Sequence, residues 1–144
     1  MNATRLTIAI AAGVTTILTA ACSSTSDYVY VEPATVQEIN ADLAQVKLTE
    51  AAAARTGIET TPVLQETVDG VERLVIPYSA VMYHFDGTTW TYTNASELTY
   101  VRAAIEIESI EGDRAILTAG PAEGTDVVVV GAAELYGAEF GVGK

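Results

Sequence analysis

Leu98-Thr99-Tyr100-Val101-Arg102-Ala103-Ala104-Ile105-Glu106-Ile107-Glu108 is the longest β-like run in the chain. Val101, Ala103, Ile105 and Ile107 recur at every second position, with Arg102, Glu106 and Glu108 between them. This is the period of a strand with one face buried and one in water, and it puts Arg102 on the wet face. Glu111-Gly112-Asp113 follows and then Arg114 to Thr118, so the pattern predicts a hairpin turning at Gly112.

Upstream of the run the signals stay mostly β. Val81 to Tyr92 reads as a hairpin turning at Asp86-Gly87, and Val71 to Ile76 as a strand ended by Pro77. Ile58 to Val63 alternates as another strand, and Gln45 to Leu48 is a short one. Between them Thr49 is placed to cap a compact helix, Glu50 to Arg55, closed by Gly57. Thr35 to Ile39 alternates like a strand but also has capping-box spacing, and the balance leans to strand. Downstream, Gly120-Pro121 breaks the chain before Asp126 to Val130, whose four valines suit a strand buried on both faces. A short segment from Ala132 to Tyr136 follows, and Gly141 to Lys144 reads as a frayed end. About seven short strands and one or two short helices predict a mainly β, or β-rich α+β, fold: a small barrel or sandwich.

Composition bounds what such a domain does. The 144 residues give room for one domain. A single Cys excludes an internal disulfide framework and Cys-cluster metal sites, and a single His excludes His-pair zinc sites. With 19 acids against 7 Lys and Arg, the net charge of −12 argues against nucleic acid, whose phosphates need a cationic face.

The N-terminus carries an address. Met1 to Arg5 holds the only charges before an uncharged stretch from Leu6 through Ala21, a charged region followed by an apolar one. That stretch falls short of the ~20 apolar residues that span a bilayer core, which weighs against a transmembrane anchor. It closes on Thr19-Ala20-Ala21-Cys22, which resembles the bacterial lipoprotein signal, with Thr19 where that family more often has leucine. The resemblance implies cleavage between Ala21 and Cys22 and lipid attachment at Cys22; ordinary cleavage after a small-residue site is the alternative. Two or more acyl chains give stable anchoring, at about 0.8 kcal/mol per buried CH₂. Losing Arg5 makes the mature chain one unit more negative than −12, so the lipid and not surface charge would hold it to a membrane. The expected organisation is a signal peptide over 1–21, a lipidated N-terminus and tether over 22–33, and a single β-rich domain over 34–144. Ser23 to Asp27 reads as flexible tether, and Tyr28 to Pro33 as extended linker or edge strand.

Catalytic signatures are missing: there is no phosphate loop, dinucleotide fingerprint, nucleophile elbow or His-Glu-x-x-His. His84 beside the Asp86-Gly87 turn reads as a solvated turn histidine. Met82, two residues before it, would share its strand face and suits a soft metal, but two ligands make a weak site and core packing is the simpler role. Glu106, Glu108, Glu111 and Asp113 crowd one turn and read as a solvated acidic face. Trp90 and Tyr92, on alternate positions, are either an aromatic platform or cross-strand packing. No catalytic, metal or cofactor residue is assigned, and no cofactor is implied.

A wider resemblance runs over about 100 residues. Val46-Lys47-Leu48-Thr49-Glu50 through Arg55-Thr56-Gly57-Ile58-Glu59-Thr60 is a first piece. Val75-Ile76-Pro77-Tyr78-Ser79-Ala80-Val81, Asp86-Gly87, Trp90-Thr91-Tyr92, Val101-Arg102, Leu117 to Gly120, Glu123 to Val128 and Gly131 to Leu135 make a second. In order and spacing they resemble the membrane-proximal domain of the periplasmic adaptor subunits, or membrane fusion proteins, of resistance-nodulation-division type efflux pumps. Full adaptors place further domains and a long helical hairpin between the two pieces, where this chain has only Val63 to Val71. The resemblance therefore implies the membrane-proximal module alone, without reach to an outer-membrane channel. It implies a non-enzymatic, lipid-anchored accessory facing outside the cytoplasm, with an inner-membrane transporter as partner and a homo-oligomer left open. A stand-alone envelope binding or structural lipoprotein is the competing function.

Overall fold

The computed structural model describes residues 31–141. The leader over 1–21, Cys22, the tether as far as Tyr30 and the last three residues, Val142 to Lys144, lie outside the described residues.

The chain runs β1 (Ala34–Glu38), β2 (Ala44–Leu48), α1 (Glu50–Thr56), β3 (Glu59–Pro62), β4 (Leu64–Val68), β5 (Val71–Pro77), a 3-10 turn (Tyr78–Ala80), β6 (Met82–Tyr83), β7 (Thr89–Ser96), β8 (Thr99–Ala104), β9 (Glu106–Glu111), β10 (Arg114–Ala119), β11 (Asp126–Val130) and α2 (Ala132–Phe140). Over the described residues it is mainly β with two short helices. Of the barrel and the sandwich, two packed sheets are found: a seven-stranded sheet ordered β1-β2-β8-β7-β11-β3 with β6 also on β7, and a four-stranded sheet ordered β4-β5-β10-β9. No helix among the described residues is long and apolar enough to cross a membrane.

Local chemistry explains several elements. Thr49 caps α1 by accepting from the Ala52 N–H at 3.2 Å, and Gly57 closes it in the left-handed region at φ 62°. The ambiguity at Thr35 resolves to strand because β1 pairs with β2 along its whole length, from Ala34 opposite Leu48 to Glu38 opposite Ala44. Asn40 shapes the intervening loop by accepting from the N–H groups of Asp42 and Leu43, both at 2.9 Å. Hairpins turn at Asp86-Gly87 and at Gly112 as the sequence predicts.

The long run does not form one strand. It breaks at Ile105, whose N–H donates to the Thr89 carbonyl at 3.0 Å and whose carbonyl accepts from the Thr89 hydroxyl at 2.7 Å. Before this point it is β8 of the large sheet and after it β9 of the small one. The facing within β8 also corrects the sequence reading. Tyr100 and Arg102 are buried, whereas Val101 and Ala103 are half-buried on the opposite face. Simple alternation fails because α2 brings an acid to meet the arginine. Glu106 and Glu108 are exposed as expected.

Two cores result. On one face of the large sheet, Val46, Leu48, Tyr92, Tyr100 and Val128 pack under Ala52 of α1 and Ala132 and Leu135 of α2. Between the sheets, Val63, Ile76, Ala80, Ile105, Ala115, Leu117 and Val127 form the second. Val127 and Val128 thus bury β11 on both faces, but the strand does not stay buried throughout, since Val130 is 44% exposed. On the small sheet's other face Val75 and Ile116 oppose each other and are buried. Arg73 and Arg114 share that face by alternation. Arg73 pairs with Glu108, and Arg114 with Glu66 at 2.7 Å and Glu111 at 3.4 Å.

Candidate functional site

The densest polar arrangement lies under the C-terminal helix. Arg102 on β8 is directly opposite Tyr92 on β7, so both side chains rise from the same face of the sheet. α2 follows Gly131, which stands at φ 89° with Ile58 so close that a Cβ would meet its side chain at 2.9 Å. The helix lays Leu135 on the core and brings Glu139, near its last turn, down onto Arg102.

The geometry closes on the carboxylate. Arg102 Nε donates to both Glu139 oxygens at 2.8 and 2.9 Å, and the Tyr92 hydroxyl donates to Glu139 Oε2 at 2.5 Å. Arg102 Nη2 donates to the Asp42 carbonyl at 2.9 Å, tying the β1–β2 loop to the same centre. The two side chains are 8% and 4% exposed, which removes both charges from water. The guanidinium lies between the Trp90 ring at 4.8 Å and the Phe140 ring at 5.0 Å, an arrangement that compensates its lost hydration. Burial first, then the adjoining Glu139, pushes the Tyr92 hydroxyl far above the ordinary tyrosine range, so it stays protonated and donating. A cleft of about 170 Å³ opens beside the pair, lined by Val36, Glu38, Asp42, Arg102, Glu139 and Phe140.

Next to the pair is a ring cluster. His84 Nδ1 and the Tyr136 hydroxyl share a hydrogen bond at 3.0 Å. The His84 ring stands 4.2 Å from Phe85, 5.6 Å from Phe140 and 5.9 Å from Tyr136, and Tyr136 lies 4.5 Å from Phe140. The solvated turn histidine of the sequence reading is therefore half-buried and engaged with α2. Met82 packs against the helix-side core, opposite Trp90.

Trp90 and Tyr92 do share a face, but they do not make an open platform. Tyr92 is fully buried, and Trp90 is half-buried with Arg102 against its ring and its Nε1 donating to Thr88 Oγ1 at 2.7 Å. The acids of the Gly112 turn are on the surface and partly paired: Glu108 with Arg73, Glu111 with Arg114, and Glu106 accepting from Thr118 at 3.3 Å. The Arg73 hydrogen bond holds the Glu108 carboxyl below the usual carboxylate range. Among the described residues no three of His, Cys, Asp or Glu are grouped to hold a metal. Ala21 and Cys22 lie outside the described residues. Arg102 and Glu139 were not singled out by sequence. The usable signal was that Arg102 shares its parity with Tyr100 in a central strand.

No family model matches the sequence, and no curated protein matches it. Among solved structures, one similar chain is the solution structure of a 180-residue piece of SilB from Cupriavidus metallidurans CH34, encompassing its N-terminal metal-binding site and membrane-proximal domain. The likeness has a TM-score of 0.46 at 21% identity, over 58% of this chain and 48% of that one. This chain thus matches about half the length of the SilB piece.

Proposed function

We propose that the protein is a lipid-anchored extracytoplasmic accessory that docks on a membrane transporter in export across the cell envelope, and that it is not an enzyme. The observation that carries this reading is the order of the adaptor-like segments, together with the way they meet. β3 from the first segment pairs with β11 from the second, and β2 pairs with β8. The stretch between the two segments, where adaptors place their further domains, is here partly taken up by β4 and the tight turn into β5. Cys22 would carry the lipid after cleavage at Ala21, residues 22–33 would tether the domain, and residues 34–144 would form it. The buried Arg102–Glu139 pair has a structural role in this reading, fastening the last helix to the sheet.

The test is crosslinking in intact cells, mild detergent extraction through a C-terminal tag, and mass spectrometry of what co-purifies, with Cys22→Ala as control. An anchor-dependent polytopic transporter is the expected partner. A well-expressed, lipidated protein that brings down no transporter would sink this function in favour of a stand-alone envelope lipoprotein.

A further inference from the structure

From the open edges of the two sheets we infer that β1 is a self-association edge, on which a second copy of this chain adds its own β1 antiparallel across a two-fold axis at Val36. The pairing needs neither the lipid nor a transporter, so it stands or falls apart from the proposed function.

The direction of the β1 backbone is fixed at both of its ends. The Pro33 carbonyl accepts from the Thr49 N–H at 3.0 Å, and the Ile39 N–H donates to the Leu43 carbonyl at 2.9 Å. Odd-numbered residues of this stretch therefore bond toward β2, and Ala34, Val36 and Glu38 turn their N–H and C=O groups to the open side. Thr35 to Glu38 are exposed, and among the described residues no strand other than β2 pairs with β1. Such a row of unpaired groups, unbroken by any shift of register, is a template for another strand. A two-fold axis at Val36 makes the pairing reciprocal. Val36 exchanges both hydrogen bonds with its own copy, and Ala34 does so with Glu38 of the second copy. On the helix side Val36, 39% exposed, then packs on itself, and on the other side Thr35 meets Gln37.

Charge makes a second copy the occupant. Two chains of net charge −12 repel one another over most of their surfaces, but the strands β1 and β2 together carry only Glu38 and Lys47 and are neutral. The two-fold pairing sets Glu38 opposite Ala34 and brings no acid against an acid. A foreign acidic or basic strand finds no matching charge on this edge, whereas a copy matches it residue for residue. The other edges do not allow the same pairing. β9 carries Glu106, Glu108 and Glu111, and its register against β10 shifts. β3 ends in Pro62 and shifts against β11. A two-fold axis on β4 would set its central Glu66 against a second Glu66.

The test is sedimentation equilibrium at low and high salt on the chain from residue 22 onward with Cys22→Ser, so that neither lipid nor detergent enters. The expected result is a monomer–dimer equilibrium in the micromolar to millimolar range that tightens as salt screens the net charge. Val36→Pro removes an outward N–H that β2 does not use, and should weaken the dimer by at least about tenfold with Tm close to wild type. Val36→Glu keeps the backbone donor but sets like charges across the axis, and should also weaken the dimer. Leu64→Glu adds the same charge at the β4 edge and should change it far less. If Val36→Pro proves strongly destabilised, Val36→Glu alone decides. A chain that stays monomeric at millimolar concentration in high salt overturns the pairing. So does a dimer that is unaffected by Val36→Glu, a dimer that is lost with Leu64→Glu, or association that continues past two copies.

Discussion

Among the described residues, arginine–glutamate pairs occur in two places, and they do different work. Under α2, Arg102 and Glu139 are almost wholly withdrawn from water and are completed by Tyr92, the Asp42 carbonyl and two rings. On the small sheet, Arg73 and Arg114 meet Glu108, Glu66 and Glu111 with side chains that are a quarter to a half exposed. The buried pair decides where a helix sits, because either charge left alone would be costly. The exposed pairs sit in water that screens them and offers equally good partners, so they shield the sheet more than they hold it together. The same chemistry therefore organises one region and merely decorates the other.

The largest test of this contrast is Glu139→Gln. It leaves Arg102 buried beside a neutral amide and should cost about 3–5 kcal/mol, a fall in Tm on the order of 10 °C. The double change Arg102→Met with Glu139→Leu should recover most of that loss by thermal denaturation. If the double variant is as unstable as the single one, the pair is not the organising element. Gly131→Ala comes next, since it places a Cβ at positive φ against Ile58, and about 1–3 kcal/mol of destabilisation is expected in urea unfolding. Stability equal to wild type would mean that α2 is positioned by Glu139 alone.

A smaller effect, of opposite sign, is expected on the other face of β7. The Thr91 hydroxyl is fully buried and has no hydrogen-bond partner. Thr91→Val should raise stability by about 1 kcal/mol, read as a higher urea midpoint at unchanged slope. The smallest is Glu108→Gln, which should leave Tm nearly unchanged at pH 7. Its folded-state carboxyl is held below its ordinary value of 4.5, so whatever stability it adds is present above that value and is lost as pH falls through the lowered one. The variant and wild type should accordingly converge in Tm as pH falls below about 4. A gap that widens on acidification would contradict the assignment.

What was legible in the sequence was what its local chemistry determines. Thr49 and Gly57 bracket α1 because a cap needs only residues three or four positions away. Asp86-Gly87 and Gly112 mark turns for the same reason. The turn at Asp69-Gly70 carried an equally strong signal, with both residues at positive φ and Val68 paired with Val71. The break at Ile105 was hidden, since a strand that leaves one sheet for another keeps its alternation across the crossing. Arg102 was assigned to water because its partner lies 37 residues away on α2. No local pattern carries that information. The proposed lipid site at Cys22 comes from the resemblance of Thr19 to Cys22 to a lipoprotein signal.

The edge position of β1 has a mechanical consequence. A load applied at the N-terminal end of the described residues enters the domain at Pro33, whose carbonyl accepts from the Thr49 N–H, and then at a strand bonded to β2 alone. Ala34 faces the far end of β2, so tension opens the hairpin like a zipper, one rung at a time. The other end of the domain is riveted through α2 into the middle of the sheet. Pulled between residue 31 and the C-terminus, the domain should lengthen first by a weak early step at β1 and only afterwards rupture. That order makes the first strand a slack-absorbing spring ahead of the folded body.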